Sequence, residues 1–209
     1  MTNFFKKTRI ILEKISSEID ILLTFWLFKI MDLSGYTATG MRLRPFLLRL
    51  LGFNVGKNVR LGYGIKIFKR SDNVIIKDHA GINHNVYIDA SGKVEFGEYC
   101  MVGFNTTFIT SKHSIRIKYK DFRPHTSAPI IIEDYAWIAS HVVVLPGVTI
   151  GRGSIISAGS VVTKSIPPNC LVAGNPATII REFKSFDKRL RIPELVGSIT
   201  EAEITSDIK

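Results

Sequence analysis

An aliphatic side chain returns at every sixth position through residues 132–162, at Ile132, Ile138, Val144, Ile150, Ile156 and Val162. A period of six matches neither the period of about 3.6 of a helix nor the period of about 2 of a single strand. It is the mark of a solenoid of short parallel strands. Four residues after each aliphatic stands a second, mostly small residue: Ala136, Val142, Val148, Ser154, Ser160 and Ile166. Each hexad therefore sends two side chains to the interior of a prism. Three hexads make one triangular coil of about 18 residues, and coils stack at the ~4.8 Å spacing of neighbouring strands. A single coil cannot bury its own face, so the chain is stable only as a stack.

The same pattern runs backwards from this stretch. Hexads begin at Val55 and fill 55–72, 76–93 and 96–113, with extra residues at 73–75 and 94–95. With the six hexads of 132–167 this gives five coils. Residues 114–131 break the pattern, since their in-phase positions are Ser114, Lys120 and Thr126, all polar. They are expected to leave the prism as a loop, carrying Arg116, Lys118, Lys120 and Arg123 against Asp121. A long loop on a rigid scaffold is a usual seat of function.

The chain is thus expected to be mainly β. Residues 1–52 form an N-terminal helical segment, 53–182 the solenoid with its protruding loop 114–131, and 183–209 a C-terminal tail. Within the first segment, residues 4–33 have helical apolar spacing, and a second short helix is expected over 44–51, ending at Gly52. Two roles fit these helices: covering the open first coil, or resting on a membrane surface through Phe25, Trp26 and Phe28 with Lys6, Lys7, Arg9, Arg42 and Arg44 beside them. The longest uncharged run there, residues 21–28, is far short of the ~20 residues needed to span a bilayer. No secretory signal pattern is present, which suits a cytoplasmic protein, with a peripheral position at the inner face of the membrane left open. Cys100 and Cys170 fall in hexad surroundings and read as buried small residues. The net charge of +10 comes with no nucleic-acid motif and no basic run interleaved with aromatics, so the phosphates of a cofactor or lipid carrier are the better partners.

The segments WIASHVVVLPGVTIG, SAGSVVTKSIPP and AGNPATIIRE closely resemble, in order and spacing, the motifs of the hexapeptide-repeat acyltransferases. The resemblance covers roughly residues 45–183. It implies a left-handed parallel β-helix, a homotrimer with sites in the clefts between prisms, and acetyl-coenzyme A as cosubstrate without a metal. His113 stands where that family carries its catalytic base, and Ser140 where it supplies the oxyanion's backbone donor. Acyl transfer from a thioester to a hydroxyl requires both, a neutral imidazole to take the proton and a donor for the developing negative charge. By the same resemblance Trp137 flanks the groove, Ala139 and Ala158 line the coenzyme's thin pantetheine arm, and Thr163, Lys164 and Arg181 come where the family contacts coenzyme A.

His84 with Asn83, Asn85 and Asp89 offers polar groups suited to sugar hydroxyls, although a solvated corner accounts for them equally well. The segment RLRPFLLRLLGF resembles the sugar O-acetyltransferase branch, which implies a saccharide acceptor in surface-polysaccharide synthesis, free or lipid-linked. Acetylation of an antibiotic or an amino sugar remains open, as does a non-catalytic membrane-associated scaffold. A zinc site built from His79, His84 and His113, as in β-helical carbonic anhydrases, is disfavoured because the close pair of histidines comes first rather than last.

Overall fold

Val55, Ile76, Phe96, Ile132 and Ile150 stand one above another, each in register with the next on the first of three parallel sheets. In the computed structural model, which describes Trp26, Lys29 and residues 37–69, 71–113 and 125–183, two further columns complete a triangular prism. Leu61, Ile82, Val102, Ile138, Ile156 and Val172 form the second face. Ile67, Ile88, Phe108, Val144 and Val162 form the third. All are buried except Ile67, which is half-buried. Register is fixed because a slip of one residue would turn every column residue outwards. The hexad phase read from the sequence is thus the phase of the prism, and the added residues near 73–75 are taken up by a 3-10 turn at Ser71–Asn73.

The small residues four places on make an inner column of their own, which includes Cys100 and Cys170. Both thiols are free and buried, and burial pushes the Cys100 thiol up to about 12, so it is packing rather than chemistry.

The N–H one place after a column residue points to a carbonyl of the following coil, as in Gly56 to Ile76 at 2.7 Å and Gly62 to Ile82 at 2.8 Å, whereas corner N–H groups point back, as in His79 to Lys57 at 2.9 Å. The carbonyls of Val55, Gly56 and Leu61 in the first coil face the open end, where no coil precedes them. A helix, Ala38–Leu50, supplies their donors. Arg44 Nη1 donates to the Leu61 carbonyl at 3.2 Å, Arg49 Nε donates to that of Val55 at 2.8 Å, and Arg49 Nη2 donates to that of Gly56. This helix starts earlier than the expected 44–51 because the Thr37 hydroxyl accepts from the Gly40 N–H at 3.0 Å and caps it. Pro45 lies inside it. Arg44, read from the sequence as a flanking cation for a membrane surface, is instead 2% exposed and works as part of this cap. The expected helix over 4–33 lies outside the described residues apart from Trp26 and Lys29, both helical and exposed.

The excursion also differs in its limits. Ser111–His113 pairs antiparallel with His125–Ser127 as the stem of an arm, and the first face resumes with Ile130–Ile132. Ile130 and Ile131, expected in the loop, belong to the prism, because Ile130 is buried in register with Val94. Lys112, in phase with the interior, is exposed because the chain has already left the coil.

Candidate active site

At the corner between the second and third faces, the residue two places after each column residue forms a row along the prism: Tyr63, His84, Phe104, Ser140 and Ala158. Side chains of one coil satisfy the backbone of the coil before it. Tyr63 N–H donates to His84 Nδ1 at 2.9 Å, and Phe104 N–H donates to the Ser140 hydroxyl at 3.1 Å. His84 is 6% exposed, and its ring lies 4.6 Å from that of Tyr63 and 5.4 Å from that of Phe104. Desolvation by burial, with the nearby Arg44 guanidinium, holds its pKa below the usual histidine value. A neutral ring is what accepting at Nδ1 requires.

The next step along the row breaks this pattern. Ala158 carries no side-chain acceptor, and among the described residues the Ser140 N–H makes no hydrogen bond, while its carbonyl accepts from Gly159 N–H at 3.0 Å. Ala139 is held beside it, its carbonyl accepting from the buried Thr106 hydroxyl at 3.0 Å. Gly103 lets the coils close here, for a Cβ on it would lie 2.5 Å from both Ser140 N and Ala139 C. The row thus tapers from aromatic rings to exposed small residues, Ala158 and Gly159, just past a backbone donor.

The polar residues offered for an acceptor separate. Asn83 is half-buried, with its Oδ1 accepting from His84 N–H at 3.1 Å, and Asn85 is exposed in the left-handed region that this corner turn demands. His84 and Asp89 are not rim groups. Asp89 is 5% exposed, and its carboxylate accepts from Ser91 N–H at 3.0 Å, Ser91 Oγ at 2.5 Å and Ser111 N–H at 2.9 Å. Burial acts to raise its pKa, but the hydrogen bonds from Ser111 and Ser91 outweigh it and hold the carboxyl at about 2. Asp89 is a clamp at the root of the arm.

His113 ends the first stem strand and is exposed, directly opposite His125, with ring centres 5.6 Å apart. Nothing in the hexad pattern singles out His125. The only signal there is that the polar runs SKH and HTS flank the excursion, and their pairing becomes visible only in three dimensions. His79 stacks on Tyr99 at another corner, so the three histidines of the zinc reading leave three different corners, and no metal-binding cluster of three or more His, Cys, Asp or Glu occurs among the described residues.

Trp137 points outwards on the second face between Met101 and Ile155, outside the core as its phase requires. Thr163 and Lys164 are exposed at the corner between the third and first faces, the corner from which the arm departs two coils earlier. Arg181 is exposed on Ala177–Glu182, opposite Leu171. One chain therefore gathers Ala139, Ser140 and Ala158 on one edge of the prism. His113, Thr163 and Lys164 share the next edge, with the third face between the two sets.

The family model described as "Bacterial transferase hexapeptide (six repeats)" matches residues 129–164. The chain is 35% identical over 141 residues to the putative colanic acid biosynthesis acetyltransferase WcaF of Escherichia coli (strain K12), covering 68% of this chain and 75% of that one. It is 36% identical over 145 residues to the galactoside O-acetyltransferase of the same organism, covering 69% and 71%. Among solved structures, a hexapeptide-repeat-containing acetyltransferase of Vibrio cholerae O1 biovar eltor complexed with acetyl coenzyme A is similar with a TM-score of 0.61 and 30% identity, over 70% of this chain and 89% of that one. With its stacked hexads and relatives at this identity and coverage, the chain belongs to the hexapeptide-repeat acetyltransferases.

Proposed function

We propose that the protein transfers an acetyl group from acetyl-coenzyme A to a hydroxyl of a saccharide used in building a surface polysaccharide. The observation that carries this reading is the end of the corner row, where a backbone N–H without a partner among the described residues meets a run of exposed small residues. Such a run suits a thin pantetheine arm, and the N–H suits the oxyanion of an attacked thioester. The acceptor class is supported by the relatives named for colanic acid and galactoside.

His113 takes the proton of the acceptor hydroxyl as its oxygen attacks the thioester carbonyl. The Ser140 N–H holds the charge that develops on the carbonyl oxygen. His113 then returns the proton to the departing thiolate, leaving an ester and a thiol. Because His113 and Ser140 leave different edges of one prism, the site is completed by a neighbouring copy, one chain giving the arm and the other the corner row. This supports a homotrimer with three shared clefts. Lys164 and Arg181 meet the coenzyme's phosphates, and Trp137 lies beside its groove. On the acceptor side, Asn83 and Asn85 are placed to meet sugar hydroxyls, while His84 and Asp89 act from beneath as positioning residues. The decisive experiment is product formation from acetyl-coenzyme A with a panel of saccharides, alongside thermal stabilisation by coenzyme A. A protein that neither acetylates a sugar nor gains stability with coenzyme A would be a scaffold.

A peripheral membrane position has its own support. Leu43, Phe46 and Leu50 form an exposed apolar stripe along the cap helix, with Arg42 also exposed, and no helix among the described residues is long and apolar enough to cross a membrane. Binding to anionic vesicles at low salt and release at high salt tests this contact, which would suit a lipid-linked acceptor.

A further inference from the structure

We propose that His113 and His125 form a two-histidine chelating site for a divalent late transition metal, and that the metal inhibits the enzyme rather than serving it. The two residues are directly opposite on the antiparallel stem. Ala128 N–H donates to the Thr110 carbonyl at 2.9 Å, which makes Thr110 and Ala128 a hydrogen-bonded pair. Along an antiparallel ladder the pairs alternate, so Lys112 with Thr126 is again hydrogen-bonded, and His113 with His125 falls on a non-hydrogen-bonded pair. Facing side chains come closest at such a pair.

The ring separation decides whether one ion fits between them. At a Zn–N distance of ~2.1 Å, each ring centre lies ~3.2 Å from the ion, and ligand angles of ~90–120° put the two centres ~4.5–5.6 Å apart. The observed separation is 5.6 Å, with ring planes inclined at 71°, at the upper end of that range. The stem is also held in register before any ion arrives. Asp89 grips Ser111 N–H at 2.9 Å, and Thr110 Oγ1 donates to the Asp89 carbonyl at 2.7 Å. Both histidines are exposed, so an ion reaches them from solvent. Imidazole nitrogen selects zinc, nickel or copper over magnesium or calcium.

An ion held there occupies the lone pair that a general base must offer. The inhibition therefore rests on the role proposed for His113, whereas the chelation does not. The test uses the full-length protein without a histidine tag, titrated with Ni²⁺ or Zn²⁺ by calorimetry at pH 8 and again at pH 5. Expected is one ion per chain at pH 8, lost at pH 5 because only neutral imidazole ligates. His125→Gln is expected to weaken binding at least about tenfold, given that losing even an outer partner of a metal ligand costs about 10–100-fold. The same variant is expected to keep acetyl transfer and to become insensitive to concentrations of Ni²⁺ that inhibit the wild type. Binding unchanged in both His125→Gln and His113→Gln would overturn the site. Binding that needs both histidines but leaves the rate untouched would uphold the site and remove His113 from the base's role.

Discussion

Asp89 Oδ2 accepts a hydrogen bond from the backbone N–H of Ser111 at 2.9 Å, tying the third face of the second coil to the first residue of the stem strand that ends in His113. The carboxylate is buried and its pKa is depressed to about 2 from 3.8. A group with a depressed folded-state pKa stabilises fully above its unfolded value and loses that contribution as pH falls through the folded one. Wild type should exceed Asp89→Asn in stability by about 2 kcal/mol at neutral pH, with the gap closing between about pH 4 and pH 2. Urea unfolding of both proteins across that window measures it, and a gap independent of pH would deny Asp89 its charge-dependent role.

His113→Ala should lower kcat by about 10²–10⁴-fold, the usual range for loss of a general base. Coenzyme A affinity should stay at the wild-type value, since the proposed coenzyme contacts lie elsewhere. Calorimetry with coenzyme A and initial-rate kinetics separate the two quantities. A variant with more than a tenth of the wild-type rate would acquit His113.

Gly103→Ala places a methyl against the Ala139–Ser140 peptide, where a Cβ would sit 2.5 Å from Ser140 N. Backbone cannot swing aside as a flexible side chain can, so a cost of about 1–3 kcal/mol is expected, together with loss of transfer through displacement of the Ser140 N–H. Gly81→Ala, which meets nothing within 4 Å, is the control and should leave the rate unchanged. Thermal melts and kcat of the pair give the comparison.

Lys164→Ala and Arg181→Ala should each raise KM for acetyl-coenzyme A more than KM for the acceptor. The penalty should shrink when dephospho-coenzyme A replaces the natural coenzyme, because the 3′-phosphate is the anion these cations would meet. Equal penalties with the two coenzymes would place the cations outside the phosphate contact.

Arg44→Met should destabilise the prism by about 1–3 kcal/mol, the cost of leaving a buried carbonyl such as that of Leu61 without its donor. A chain shortened to begin at Pro45 lacks the same donor and the first turns of the cap helix, so it should melt lower than the full protein even in the absence of membranes.

The prism itself was legible in the sequence because its cause is local and repetitive. Ile132, Ile138 and Val144 must face inwards if a six-residue period is to bury anything, and the same phase carried back to Val55 placed nearly every core residue. The outward position of Trp137 and the buried state of Cys100 followed from that phase alone. Partnerships between distant coils were not legible, because a one-dimensional period does not say what each edge residue meets. Asp89 looked like an open polar group until Ser111 was found above it, and Arg44 looked like a surface cation until the carbonyl of Leu61 was found beneath it. The pairing of His113 with His125, across an arm that the period could mark only as an interruption, was decided by tertiary structure, since antiparallel register is set by which strands meet and not by their spacing in the chain.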